Sequence, residues 1–211
     1  DGGAGLTVVD VSAPAAPYVV DNAGMTGACR ALEVSGKVTL VADEGGVAAV
    51  DSGAYTSRLS VVARTDTRGW NVTRGVRVSD DLLFQCDGGG GLRIFDITEP
   101  TTPSLLGSIS NSQLTWEQGR WNMYSVAYAA PYAYVAARNS GVLVINVSNP
   151  AIPALVATVD TPDMASDIEV DGQRLFVADR AGGILLYDIS NPSAPVFVSA
   201  YDTPTIPYDE F

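Results

Sequence analysis

The chain of 211 residues contains no histidine. That absence removes Ser-His and Cys-His nucleophile pairs, imidazole general bases and the commonest zinc ligand. There are two cysteines, Cys29 and Cys86, too few for a disulfide framework, and neither belongs to a CxxC pair. The two could form one staple between neighbouring repeats; isolated buried thiols are the simpler reading. No apolar run approaches the ~18 residues that a membrane-spanning helix needs. Basic residues are also scarce, 12 against 24 acidic ones, for a net charge of −12 and a pI near 4.2. Phosphate backbones and anionic bilayers attract cationic surfaces, so nucleic acid is excluded as an expected partner and docking through a basic patch is disfavoured. With 46% hydrophobic and 17% charged residues the composition is that of a globular chain, expected to form one domain over 1–211.

What the chain does contain is a phrase written several times. Gly182 and Gly183 open the run ILLYDISNPSAP, which ends at Pro195: a glycine turn, an apolar strand, an Asp and a Ser at its end, then a proline-stiffened connection. Earlier copies are GAGLTVVDVSAPAAP ending at Pro17, GGGLRIFDITEPTTP ending at Pro103 and SGVLVINVSNPAIP ending at Pro153. A worn copy, GGVAAVDSG ending at Gly53, keeps the strand and loses the prolines. The strand-closing residues are Asp10, Asp51, Asp96, Asn146 and Asp188. Their period of about 40 to 50 residues is that of stacked or radially arranged units.

Each unit reads as four short strands. Over residues 154–188 these are Ala154 to Asp160, Asp167 to Val170, Arg174 to Ala178 and the anchor Ile184 to Asp188, with the same four expected in 18–51, 59–96 and 104–146. Asp-Gly and Ser-Gly turns between β-branched runs signal hairpins, and no helical period is present. Four antiparallel strands per repeat make the blade of a β-propeller, so the expected fold is all-β with five blades. Thr203, Pro204 and Asp209 match Thr161, Pro162 and Asp167, while Asp1 and Asp10 match Asp179 and Asp188. The last blade is therefore expected to be closed by both termini, with one strand absent, as in a segment of a longer chain.

The anchor pattern, clearest at ILLYDISNPSAP and VLVINVSNPAIP, resembles the LVIVD-repeat proteins. The resemblance implies a β-propeller in a secreted, periplasmic or cell-surface protein of bacteria or archaea. It implies no active site.

Because a blade has an even number of strands, loops of one type emerge on the same face in every repeat. The widest anchor spacing, from Asp96 to Asn146, comes from a long loop, SNSQLTWEQGRWN, carrying Trp116, Arg120 and Trp121. Trp70, Arg68 and Arg74 occupy the corresponding loop one blade earlier, and Met123 and Tyr124 extend the patch. Tryptophan and arginine dominate binding hot spots, and loops on a rigid scaffold are where recognition sits. The expected function is thus a non-catalytic interaction platform, with a protein or surface assembly as partner. A glycan stacked on the same tryptophans is the alternative, and the tryptophans could instead cap the core.

The carboxylates admit two further chemistries. Asp21, Asp66, Asp160 and Asp202 recur after the first strand of each unit, and Asp43, Asp87 and Asp179 after the third. Such rings could bind calcium, but an Asp at a strand end ordinarily accepts hydrogen bonds from turn backbone. A carboxylate-only glycoside hydrolase or lyase needs just two acids, and nothing selects a pair among 24. The run Gly88 to Gly91 opens a strand and lacks a following Lys-Ser/Thr, so it fails as a phosphate loop.

Overall fold

The computed structural model describes residues 5–51, 59–66, 72–110 and 122–202. Four antiparallel four-stranded sheets follow one another along the chain. The first holds β3 (Ala31–Ser35), β4 (Val38–Asp43), β5 (Gly46–Asp51) and β6 (Ser60–Asp66). The second holds β7 (Gly75–Ser79), β8 (Leu82–Cys86), β9 (Leu92–Asp96) and β10 (Ser104–Ile109). The third is β11 (Ser125–Ala129), β12 (Tyr132–Ala136), β13 (Val142–Asn146) and β14 (Ala154–Val159), and the fourth β15 (Asp167–Asp171), β16 (Arg174–Ala178), β17 (Ile184–Asp188) and β18 (Val196–Tyr201). A fifth sheet is the pair β1 (Leu6–Asp10) and β2 (Tyr18–Ala23). The inner strands β3, β7, β11 and β15 pack side by side, β3 on β7, β7 on β11 and β11 on β15, around a central channel. This is a β-propeller.

The strands expected from the sequence are present, but their grouping is shifted by one. The anchor is the third strand of its sheet, not the fourth, and the strand after it, such as β14 after β13, closes the same sheet from outside. Proline-rich connections therefore lie within blades. β1 and β2 are the third and fourth strands of a blade, and the second edge of β1 carries no strand among the described residues. Residues 203–211, expected to contribute to that blade, lie outside the described residues.

Apolar residues on both faces of the middle strands hold the blades together. In β12, Ala133 and Val135 point to a cluster with Phe84, Cys86, Leu92 and Ile94 of the preceding blade. Their neighbours Tyr134 and Ala136 point to Ile168, Leu175, Val177 and Leu185 of the next. Strand alternation buried on both sides explains why the anchors read as continuous hydrophobic runs.

The repeated phrase encodes repeated backbone devices. Each glycine before an anchor strand has positive φ: 93° at Gly5, 132° at Gly46, 100° at Gly91, 64° at Gly141 and 73° at Gly183. A Cβ there would meet a carbonyl of the outer strand, at 2.0 Å from Val159 O in the case of Gly141. The strand-closing Asp or Asn then turns the chain. Its Oδ1 accepts the N–H two residues on, from Ser12 to Asp10 (2.7 Å), Thr98 to Asp96 (2.8 Å), Ser148 to Asn146 (2.8 Å) and Ser190 to Asp188 (2.7 Å). Register also slips once between the third and fourth strands of every sheet, leaving Val20, Leu106, Val156 and Val198 as bulged residues in four of them. Such bulges bend and twist the outer strand.

Cys29 and Cys86 are both free thiols, so the staple considered above is not formed. They pack in different clusters, Cys29 beside Ala23 and Val41, Cys86 against Phe84 and Met123. Full burial pushes the Cys86 thiol far up. Among the described residues no helix is long and apolar enough to cross a membrane, which says nothing of membrane β-barrels.

Candidate functional site

The residue just before each inner strand is held by one recurring hydrogen bond. Its N–H donates to a carbonyl at the end of the second strand, the penultimate one in β4 and the last in the other three: Arg30 to Ala42 (2.9 Å), Arg74 to Cys86 (3.0 Å), Tyr124 to Ala136 (2.9 Å) and Ser166 to Ala178 (2.8 Å). Each bond extends the inner hairpin by one rung and sets the four residues at the same height around the channel. Together with Ser125 and Asp167 they line a cavity of about 400 Å³ at its mouth.

Arg74 and Tyr124, both expected site residues, meet there. The Arg74 guanidinium lies 4.3 Å from the centre of the Tyr124 ring. A second cation, Arg138, stands 5.1 Å from the same ring. Arg138 comes from the β12–β13 loop at φ 52°, clipped by its N–H to the Ala165 carbonyl (3.0 Å) and by its own carbonyl, which accepts from Ala165 N–H (3.2 Å). The Met123 N–H donates to the Gly88 carbonyl (3.2 Å) in the same way one blade earlier. Loops between blades and loops between second and third strands thus meet on one face, as strand parity requires. The Nε atoms of Arg74 and Arg138 are buried without a hydrogen-bond partner. Arg30 is exposed and pairs with Glu44 at 3.3 Å.

Further along the channel, Arg77 on β7 sits between two carboxylates. It bonds Glu33 on β3 at 3.4 Å and reaches across to Glu169 on β15. Burial works against the Arg77 charge, and the two carboxylates outweigh it, raising the group above its ordinary range.

The remaining expected residues divide. Trp70, Trp116, Trp121, Arg68 and Arg120 lie outside the described residues. Met123, expected on the patch, is fully buried in the core instead. Two of the recurring carboxylates cap loops: Asp43 Oδ2 accepts the Thr26 N–H (3.1 Å) and Asp179 Oδ2 the Asp163 N–H (2.8 Å), tying each blade's loop to the connection that precedes it. Among the described residues no three acidic or cysteine side chains are grouped so as to hold a metal ion. Sequence reasoning missed Arg30, Arg138 and the channel cluster. The usable signal was alignment of the residue before each inner strand, which sets Arg30 against Arg74.

The fold is shared with solved propellers at low identity. The computationally designed Ika8 protein aligns at 13% identity and TM-score 0.64, covering 88% of this chain and 54% of its own. Sqt1 of Chaetomium thermophilum, solved bound to the N-terminus of the ribosomal protein L10, aligns at 14% identity and TM-score 0.67 over 90% of this chain and 54% of that one. The Cps50 (Swd1) β-propeller domain of Myceliophteria thermophila aligns at 15% and 0.62, over 85% and 62%. The chain therefore spans little more than half the length of these structures. No curated protein matches it. A model of the LVIVD repeat matches residues 1–23, 72–111, 124–161 and 162–203, leaving out the stretch with the worn copy. Since those matches take in more than half of its residues, the chain belongs to the LVIVD repeat family.

Proposed function

We propose that this propeller is a non-catalytic interaction platform of an extracellular or cell-envelope protein, and that it receives its partner on the face bearing the channel mouth. One observation carries the reading. Four equivalent positions, fixed by the same backbone bond in four blades, hold two arginines, a tyrosine and a serine around one cavity, although the chain as a whole carries a charge of −12. Repetition makes the scaffold rigid and leaves these positions free to differ, which is how recognition surfaces are built on repeat folds. The connection between β10 and β11, whose sequence carries Trp116 and Trp121, ends at Tyr124 on this cavity. That a solved propeller of similar shape holds the N-terminus of a ribosomal protein supports peptide capture as something this architecture performs. The family resemblance supports the location.

The test is a cross-linked pull-down from the native source, comparing the wild type with a Trp116→Ala/Trp121→Ala variant and an Ile152→Ser variant. Ile152 is 73% exposed in a proline-rich connection of the opposite face. Loss of the captured partner in the tryptophan variant alone is expected. Loss in Ile152→Ser alone moves the binding face to the other side and overturns the reading.

A further inference from the structure

The rim arginines carry a statement about ligand chemistry, which rests on the platform reading above. We infer that the channel mouth binds a single carboxylate presented by a protein partner, with Arg74 as the fixed donor and Arg30 as the movable one. The Arg74 guanidinium is held over the Tyr124 ring at 4.3 Å, which anchors the cation at the cavity without using its N–H donors on the ring edge. Its Nε is buried without a hydrogen-bond partner, so the scaffold leaves part of the guanidinium unsatisfied. Among the described residues the Arg30 side chain pairs with Glu44, the two being 36% and 48% exposed, and surface pairs of this kind exchange at little cost. Ser125 and Tyr124 border the same cavity.

Charge selects the class. A net charge of −12 and the rim carboxylate of Asp167 repel polyanions and dianionic phosphate at distance. A planar monoanion meets the guanidinium fork edge to edge, where short charge-assisted hydrogen bonds outweigh the field. The cavity of about 400 Å³ has room for one side chain or one chain terminus.

The experiment titrates the whole chain with three peptides at up to millimolar concentration, followed by amide NMR shifts. The probes are acetyl-Ala-Ala-Glu-Ala-Ala-amide, its Gln counterpart, and acetyl-pentaalanine with a free C-terminal carboxylate. At least one carboxylate peptide is expected to bind about tenfold or more tightly than the Gln peptide, and which one does so separates a side chain from a terminus. Arg74→Gln is expected to abolish that preference, Arg74→Lys to weaken it, and Arg174→Gln, on the opposite face, to leave it unchanged. Equal response of all three peptides, no shift with any probe, or equal weakening by Arg174→Gln overturns the inference. A pull-down that still depends on Trp116 and Trp121 while the peptides fail leaves the platform standing and removes only the carboxylate.

Discussion

Gly141 and Gly172 share a left-handed backbone, φ 64° and 58°, yet differ in what surrounds them. Gly172 lies in the open turn between β15 and β16, with nothing within 4 Å of where an alanine methyl would stand. Gly141 precedes an anchor strand, and the same methyl would lie 2.0 Å from the Val159 carbonyl oxygen and 3.1 Å from Asp160 Cα. Alanine at either site takes on the left-handed penalty of about 1–2 kcal/mol. At Gly141 the obstacle is backbone of the paired outer strand, which no rotamer change relieves, so about 1–3 kcal/mol is added as in an overpacked core. Gly172→Ala is thus expected to cost about 1 kcal/mol and Gly141→Ala about 3. For a chain of this length each kcal/mol moves Tm by about 2–4 °C. Thermal unfolding followed by circular dichroism should place Gly172→Ala roughly 2–4 °C below the wild type and Gly141→Ala roughly 6–12 °C below it. Equal losses would refute the close carbonyl approach as the reason the repeat keeps its glycine.

The anchor aspartates give a pH signature. The Ser12 hydroxyl and N–H hold Asp10 below the ordinary carboxylate range, and the N–H and hydroxyl of Thr98 and Ser190 do the same for Asp96 and Asp188. A carboxylate with a depressed folded pKa contributes stability that is present above its unfolded value near 4 and lost as pH falls through the folded one. An Asp10→Asn/Asp96→Asn/Asp188→Asn variant, imitating Asn146, should start with a lower Tm than the wild type at pH 7 and lose less of it between about pH 4 and 2, so that the two curves converge on acidification. Arg64 holds both oxygens of the fully buried Asp43, at 2.7 and 2.9 Å. Arg64→Ala strands that charge and should cost about 3 kcal/mol, near the low end for a broken buried pair because the Gly45 and Thr26 N–H groups remain. Urea unfolding of the single and the Arg64→Ala/Asp43→Asn double variant checks it: the double should recover part of the loss.

The architecture was legible because its causes are local and written five times. Glycine, apolar run, Asp and proline each act on their own neighbours, so Gly183, Asp188 and Pro195 announce turn, strand end and connection without any tertiary information. The blade boundary was not legible for the same reason. β14 is joined to β13 through a proline-rich loop and to β15 through a short polar one, and which neighbour it pairs with depends on the closure of the ring. The site divides along the same line. Arg74 and Tyr124 were found because they flank tryptophans, a compositional signal. Arg30 has no unusual neighbour; only the recurring bond from its N–H to the end of β4 places it at the channel mouth beside Arg74. Arg77 lies 44 residues from Glu33 and 92 from Glu169, and the three meet because radial symmetry brings inner strands of different blades together. In a repeat fold, then, what recurs in the sequence builds the scaffold, and what departs from the recurrence at equivalent positions marks the surface that distinguishes one partner from another. Arg30, Arg74, Tyr124 and Ser166 are four departures at one such position, and they are the residues on which a functional experiment should begin.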